Sequence, residues 1–414
     1  MKNELTKTQE EFLKILESFM HDKAYQLPEQ FTQIRELYHL AAEHKMVAAV
    51  YEQLQREELL GREEYKDIAR ILKNTTIREV VMQAQRADGF LRVYKKIIDR
   101  GICPLVVKGM ICRNLYTKSD YRVSGDEDIL LKKEEFALCD EILLEEGFQR
   151  EELDMENLPY EIPYMHIQNG VYIELHFSLF PEESGAYGHL NQEFIHAFDT
   201  CIAETIQGVS VWTLEPTLHL FYLICHGLKH FLHSGFGIRQ VCDMMMMAEN
   251  YGGQIDWKYI EERLRALRME EFWNGLVDIG RKYLGFSTEK ANYPKHMQEY
   301  QTDCRNLLKD LLDSGVYGDS SMERKHSSNV TLAAAESGKK DVAASLKASL
   351  FPNMDYMKKG FPWLKKYPWL IPAAWIMRIV QYAKSPQRKK GEEPDSMTIG
   401  MSRVELLREY HIID

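Results

Sequence analysis

Three stretches of the sequence decide its fold: Val106-Val-Lys-Gly-Met110, Arg122-Val-Ser-Gly-Asp-Glu-Asp-Ile-Leu-Leu131 and Tyr172-Ile-Glu-Leu-His176. Each combines a short apolar run, typical of a buried strand, with charged residues beside it. The predicted strands built on these stretches are Ile102–Val107, Ile129–Leu131 and Val171–Phe177, and Val209–Thr213 is a further candidate. A small sheet with charged residues at its strand ends is therefore expected near the middle of the chain.

Helical periodicity surrounds these strands. Apolar residues recur at spacings of three and four through residues 1–98 and again from Glu215 onward. Another helix is predicted from Lys132 to Glu146, ended by Gly147 as its C-cap. The pattern predicts an α+β fold, with a small mixed-sheet core at 99–214 between a helical region at 1–98 and another at 215–414.

Composition and charge limit the class of protein. The chain has 414 residues, of which 45% are hydrophobic and 28% charged, which is typical of a globular protein. Its net charge of −11 argues against a generic nucleic-acid binder. The seven cysteines form no CxxC pair, and no apolar run has the ~20 residues of a membrane span. A cytoplasmic protein without integral membrane association is expected.

Acidic residues on two of the strands suggest a metal site. Side chains alternate along a strand, so Asp126 and Asp128 share one face, as do Glu174 and His176. If the strands are neighbours, three carboxylates converge, and oxygen ligands of this kind suit Mg²⁺. By itself, the acidic triplet from Asp126 could equally belong to a solvated loop; the order of the motifs on strands favours the metal site.

The order of these motifs resembles that of the DNA polymerase beta-like nucleotidyltransferase superfamily. More narrowly, the chain is similar to uncharacterised bacterial nucleotidyltransferases in which a Leu/Val-Lys-Gly turn replaces the usual Gly-Ser. The flanking motifs Glu43-His-Lys-Met-Val47 and His226-Gly-Leu-Lys-His230, followed by Arg239 and Asp243, fit as well. The resemblance extends from about Ala41 to about Lys384.

The resemblance implies roles for individual residues. Asp126 and Asp128 would bind both of two Mg²⁺ ions, with Mn²⁺ as an alternative, and Glu174 would hold the catalytic ion and help to activate the acceptor hydroxyl. Lys108 and Gly109 would approach the triphosphate. The full set of expected nucleotide-binding residues is Lys108, Gly109, Arg122, His176, His226, His230, Arg239 and Asp243.

Two residues depart from the superfamily pattern. Met110 replaces a common Ser, so a hydroxyl contact to phosphate is missing, and Lys108 could replace it as a point charge. Glu127 stands at a middle position that is usually apolar. Because burying an unpaired carboxylate is costly, Glu127 is expected either at the open edge of the strand or paired with a base.

The histidines allow more than one interpretation. His176 could bind phosphate, orient Glu174, or simply be hydrogen-bonded at a strand end. The helix from Pro216 has a polar side that could be turned toward a phosphate-filled cleft, could be solvated, or could hold half of a zinc site. Its members are His219, Tyr222, His226, Lys229, His230 and His233. Arg239 and Asp243, at i and i+4, either pair on one helix or line the same cleft.

A basic aromatic segment follows Phe351. Residues 321–390 carry 14 Lys/Arg against 4 Asp/Glu, a balance of +10 that leaves −21 for the rest. Interleaved Lys and Trp can bind nucleic acid or an anionic membrane surface. The structural alternative places the aromatic side chains in a core with the lysines at its solvated edge.

The combined prediction is an Mg²⁺-dependent nucleotidyltransferase. It would move a nucleoside monophosphate from an NTP, expected to be ATP, to a hydroxyl-type acceptor and release pyrophosphate. The acceptor would be a small molecule or a protein, since a body of charge −21 disfavours long nucleic acid. The alternative is a non-catalytic relative of the same fold that binds a nucleotide or a protein partner.

Overall fold

A computed structural model describes residues 4–56, 58–155, 157–233, 235–316, 322–337, 354–383 and 396–413. Helices precede and follow a small mixed sheet, which confirms the predicted α+β class. The first helices are α1 (Lys7–Met20), α2 (Ile34–Glu43), α3 (Val47–Arg56) and α4 (Lys66–Asp99). Helix α4 is 34 residues long. Gln83 on α4 accepts a hydrogen bond from Ser124 N at 2.8 Å, which fixes the loop before Asp126.

The main sheet of the described residues has four strands. They are β1 (Leu105–Val106), β2 (Glu127–Leu130), β3 (Glu161–His166) and β4 (Val171–His176), in the order β1-β2-β4-β3. Strands β2 and β4 run parallel, with Asp128 opposite Glu174 and Leu130 opposite His176. The two acid-bearing strands are therefore neighbours, as the convergence argument requires. Helices α5 (Gly109–Asn114) and α6 (Phe136–Glu145) follow β1 and β2, and Gly147 after α6 has φ +87°, as its predicted C-cap role requires.

The structure corrects the predicted strands in three ways. The first strand is only two residues long, not the predicted Ile102–Val107. Strand β3 was not predicted; it contains Pro163, which has no N–H to donate, and it lies at the edge of the sheet, where proline is tolerated. The candidate Val209–Thr213 is a strand, β6, but it pairs with the unpredicted β5 (Ile202–Ile206) in a separate two-stranded sheet.

Helices form the rest of the described chain. They are α7 (Pro216–Leu232), α8 (Ile238–Tyr251), α9 (Trp257–Ala266), α10 (Glu270–Tyr283), α11 (Lys295–Gln298), α12 (Arg305–Ser314), α13 (Met322–Ser337), α14 (Met354–Gly360), α15 (Ile371–Ala383) and α16 (Ser396–Glu409). Arg403 on α16 donates hydrogen bonds to the carbonyl oxygens of Phe231 and His233. The C-terminal helix thereby caps the carboxyl end of α7, which would otherwise carry unsatisfied carbonyls.

One apolar core runs from Phe12 to Ile413 through the helical flanks and the main sheet. Helix α7 lies within it and is buried along nearly its whole length. The division at residues 98 and 214 stays a prediction. Among the described residues, no helix is both long enough and apolar enough to cross a membrane.

Candidate metal and nucleotide site

Three carboxylates and a histidine meet at one place on the main sheet. Asp126 immediately precedes β2, Asp128 is the second residue of β2, and Glu174 and His176 come from β4 beside it. Asp128, Glu174 and His176 each offer a ligand atom, and these atoms all lie within 4.8 Å of one another. We call Asp126, Asp128 and Glu174 the carboxylate cluster. Asp128 is nearly buried, whereas Asp126 and Glu174 are partly open to solvent.

Lys108 partly neutralises the carboxylate cluster. Its Nζ lies 2.8 Å from Asp128 Oδ2 and 3.9 Å from Asp126 Oδ2. The chain just before it is held by Thr213, whose hydroxyl donates to Val106 O at 2.6 Å, and by His219 Nε2, 2.7 Å from Val107 O. A protein cation therefore lies between the two aspartates, where the sequence argument expected only a metal.

The environment divides the cluster into one strongly ionised and one weakly ionised carboxyl group. Burial by itself would raise the pKa of Asp128, but Lys108 and His176 outweigh it and hold this pKa well below its usual range. Burial, reinforced by the charges of Asp128 and Asp126, raises the pKa of Glu174 to about 8. Glu174 is thus the member of the cluster that most readily holds a proton.

His176 faces the cluster without a hydrogen bond. Its Nε2 lies 3.4 Å from Asp128 Oδ1 and 3.8 Å from Glu174 Oε2. Neither ring nitrogen of this buried side chain has a hydrogen-bond partner in the described part of the chain, and neither does Asp126 Oδ1. Since buried polar atoms are rarely left unsatisfied, this arrangement fits a bound cation or ligand. Which of the expected roles His176 plays stays a prediction.

Glu161 is a further carboxylate at the site that sequence analysis missed. It lies opposite His176 in the β3–β4 register, and its Oε2 is 3.8 Å from His176 Nδ1. Glu161 could have been placed at the site only if β3 had been predicted, and Pro163 argues against a strand at this point of the sequence.

Glu127 is paired with a base, one of the two expected arrangements. Its carboxylate accepts a hydrogen bond from Met110 N at 2.6 Å and one from Arg113 Nη2 at 3.1 Å. Burial nevertheless raises the pKa of Glu127 to about 7, although Arg113 opposes the shift. Glu127 thus locks the turn at Lys108 from beneath, while its neighbours on β2 face the site. Arg113, one turn along α5, was not singled out from the sequence.

Arg122 and Asp243 form a buried ion pair. Arg122 donates to both carboxylate oxygens of Asp243, at 3.0 and 2.6 Å, and Tyr116 OH donates to the same carboxylate at 2.9 Å. Asp243 therefore pairs with Arg122 and not with Arg239, and of the two arrangements expected for Arg239 and Asp243 the shared cleft is the one that the described residues support. This pair ties the loop before β2 to α8, and its two charges satisfy each other.

Comparison with known proteins identifies the family of this chain. Residues 31–285 match the model of a family described as uncharacterised nucleotidyltransferase. The chain belongs to that family. No curated protein and no solved structure matches it.

The matched range includes every predicted site residue of the protein, from Lys108 to Asp243. It supports nucleotidyl transfer as the general activity. The basic aromatic segment lies beyond residue 285, outside the matched range.

Positively charged and polar groups border the carboxylate cluster on the α7–α8 side. Arg239 donates to Val123 O, and its buried Nε has no hydrogen bond within the described residues. A narrow cleft lies here, lined by Lys108, Arg122, Ser124, Asp126, Leu223, His226, Gly227, Arg239, Gln240, Asp243 and Met244. Its free volume of about 20 Å³ is large enough for only a single water molecule. A nucleotide would have to reach the carboxylates from their solvent-exposed side.

Burial lowers the pKa of each of the three histidines of α7. Burial, followed by the nearby charge of Lys108, lowers the pKa of His226 well below its usual range, and burial with Lys229 does the same for His230. Their Nε2 atoms lie 3.3 Å apart, and most of the helix is buried, so the solvated-face interpretation is wrong. The lowered pKa values oppose the expectation that these two histidines supply positive charge, which stays a prediction, and Lys108 and Lys229 are the lysines beside them.

Proposed function

We propose that this protein is a metal-dependent nucleotidyltransferase that transfers a nucleoside monophosphate from an NTP to an acceptor hydroxyl. One observation carries the proposal: carboxylates from two adjacent parallel strands converge beside Lys108, on one face of the sheet. Family membership supports the same general activity. The superfamily, Mg²⁺ as the ion and ATP as the nucleotide remain parts of this proposal.

The donor set fits a hard divalent cation. Asp126 and Asp128 would hold it together with Glu174, and His176 is buried against the same atoms with both ring nitrogens free of hydrogen bonds in the described structure. When bound, divalent ions would lower the charge on the α-phosphate and align the attacking oxygen.

Lys108 and Glu174 would carry the chain's own part of the chemistry. Lys108 would release the aspartates and pair with the triphosphate, because its flexible stem carries a point charge. The acceptor oxygen forms a bond to the α-phosphorus, the α–β bridging P–O bond breaks, and pyrophosphate leaves. Glu174, which lies opposite Asp128 on the neighbouring strand, would take the acceptor proton in its ionised form.

Radiolabelled nucleotides test the proposal directly. The full-length protein is incubated with Mg²⁺, cell extract fractionated by size, and each NTP labelled at either the α- or the γ-phosphate. We expect the α-label to appear on an acceptor and the γ-label in pyrophosphate. Transfer of the γ-label to an acceptor would instead show a phosphoryl transferase and contradict the proposal.

A non-catalytic binder is the second candidate, and one observation favours it. Met110 N, at the turn where the resemblance places the triphosphate, already donates to Glu127, and Met110 offers no hydroxyl. In the same labelling experiment, a binder would retain the NTP at equilibrium without transferring either label.

Glu174→Gln is expected to separate nucleotide binding from chemistry. Asp126 and Asp128 remain to hold the metal that accompanies the triphosphate, so calorimetric affinity for Mg·NTP stays near that of the wild type. Loss of the proton acceptor lowers kcat by at least about 100-fold. Glu262→Gln is the control and is expected to keep its activity, since this carboxylate is exposed on α9 and lies 3.9 Å from Lys258 Nζ. Nucleotide affinity lost together with kcat in Glu174→Gln would contradict this division of roles.

Lys229→Met is expected to raise the KM for the NTP roughly tenfold, because a hydrogen bond to a charged group contributes ~1.5–3 kcal/mol. The Lys229 ammonium group is half-buried, and it forms no hydrogen bond or ion pair with the described residues. Burial and the charge of Lys108 lower its pKa, so its removal costs the fold little.

Lys258→Met serves as the control, since Lys258 is a surface lysine whose side chain is 85% exposed. Steady-state kinetics with varied NTP would measure both variants. Equal KM values in the two variants would remove Lys229 from the nucleotide site.

A further inference from the structure

The basic aromatic segment folds around a core of its own. Met357, Phe361, Leu364 and Ala374 form a buried apolar cluster that is separate from the main core. Met354, Trp363, Ile371 and Trp375 pack against it. The alternative in which the aromatic side chains form a core thus holds for part of this segment. Phe351 itself lies outside the described residues.

The outer side of this segment is apolar and exposed. On α15, Ile371, Ala374 and Trp375 turn inward, whereas Ile376 and Met377 are 63% and 46% exposed. Trp369 and Leu370, just before the helix, are 69% and 39% exposed. Ala373 is also exposed, and it lies three or four residues from each of these four side chains, so they continue one surface. We call Trp369, Leu370, Ile376 and Met377 the apolar face.

Basic residues accompany the apolar face. Lys365 and Lys366 precede it directly and are both exposed, and Lys366 Nζ lies over the Tyr367 ring at 5.6 Å. Residues 354–383 contain five Lys/Arg and one Asp. The surrounding 321–390 stretch has a balance of +10 against −21 for the rest of the chain. The positive charge is therefore concentrated in the stretch of sequence that carries the exposed tryptophan.

We propose that the apolar face is a docking surface for an anionic lipid membrane. Trp369 would lie at the headgroup boundary, Ile376 and Met377 would enter the acyl region, and Lys365 with Lys366 would meet the anionic headgroups. Nucleic acid fits less well, because the aliphatic side chains of Leu370, Ile376 and Met377 offer bases no stacking surface. This inference does not depend on the proposed nucleotidyl transfer.

Co-sedimentation of the full-length protein with vesicles tests the proposal. Vesicles of phosphatidylcholine alone are compared with vesicles containing about one third phosphatidylglycerol. We expect binding to the anionic vesicles, a blue shift of tryptophan fluorescence, and weaker binding as salt rises. Trp369→Ser/Ile376→Ser is expected to weaken binding to anionic vesicles at least about tenfold, since affinity follows the buried apolar area.

Ile167→Ser/Ile195→Ser is the matched control, because both residues are about as exposed, at 68% and 64%, but lie elsewhere. The control variant should bind vesicles like the wild type, and both variants should keep the wild-type thermal midpoint. Absence of vesicle binding by the wild type, or equal losses in the two variants, would overturn the proposal. A single-stranded oligonucleotide bound through Trp369 and Ile376, without vesicle binding, would overturn it in favour of nucleic acid.

Discussion

Asp126→Asn and Asp128→Asn should each lower nucleotidyl transfer by at least about three orders of magnitude. The metal supplies several kcal/mol of transition-state stabilisation, and about 1.4 kcal/mol corresponds to a factor of ten in rate. The amide keeps the size of the side chain while removing the charge that binds the ion. Initial rates with α-labelled NTP at varied Mg²⁺ would measure the loss.

Asparagine is preferable to alanine at position 128 because of Lys108. The carboxylate of Asp128 is paired with that ammonium group at 2.8 Å, so truncation would leave a nearly buried cation without its partner. Relief of negative repulsion, the simplest expectation for an acidic cluster, therefore does not apply to Asp128. Some loss of thermal stability is expected in Asp128→Asn, although the fold is retained.

Asp140→Asn provides the matched control for both variants. Asp140 is likewise ion-paired, to Arg150 at 2.6 Å, and also accepts a hydrogen bond from Tyr164. Tyr164 lies opposite Ile173 on β4, and Ile173 points away from the face that carries Glu174 and His176. Asp140→Asn is thus expected to cost stability without affecting transfer. Mg²⁺-dependent transfer that persists in Asp126→Asn and Asp128→Asn would refute the metal assignment.

Gly109→Ala should lower the free energy of unfolding by about 3 kcal/mol and abolish activity as well. An added Cβ would lie 2.1 Å from Glu127 Oε2 and 2.8 Å from Asp126 O, and the backbone φ is +33°. The buried carboxylate would have to leave Met110 N and Arg113, and separating such a pair costs ~3–5 kcal/mol. Denaturant titration would measure the change.

Gly125→Ala is the control for this effect. Gly125 lies in the loop just before Asp126, and its added Cβ would meet no atom within 4 Å. We expect its stability to stay within about 1 kcal/mol of the wild type. If Gly109→Ala has the same free energy of unfolding as the wild type, Glu127 does not hold the Lys108 turn.

Local patterns in the sequence predicted the class of fold and the faces of the strands. Alternation along β2 and β4 places Asp126 with Asp128 and Glu174 with His176, whatever surrounds them. Strand β3 was missed because it carries Pro163, which only its edge position tolerates. Glu161 was missed with it, because a residue can be placed at a site only when its strand is known.

The sequence by itself determined which side chains share a face, because that depends on backbone geometry over a few residues. Tertiary structure alone decided which charges pair: Lys108 with Asp128, Arg113 with Glu127, and Arg122 with Asp243. It also decided that burial lowers the pKa values of His226 and His230. Ion pairing and burial depend on distances between residues far apart in the chain, and the attraction between charges grows as water is excluded, so neither can be inferred from spacing along the sequence.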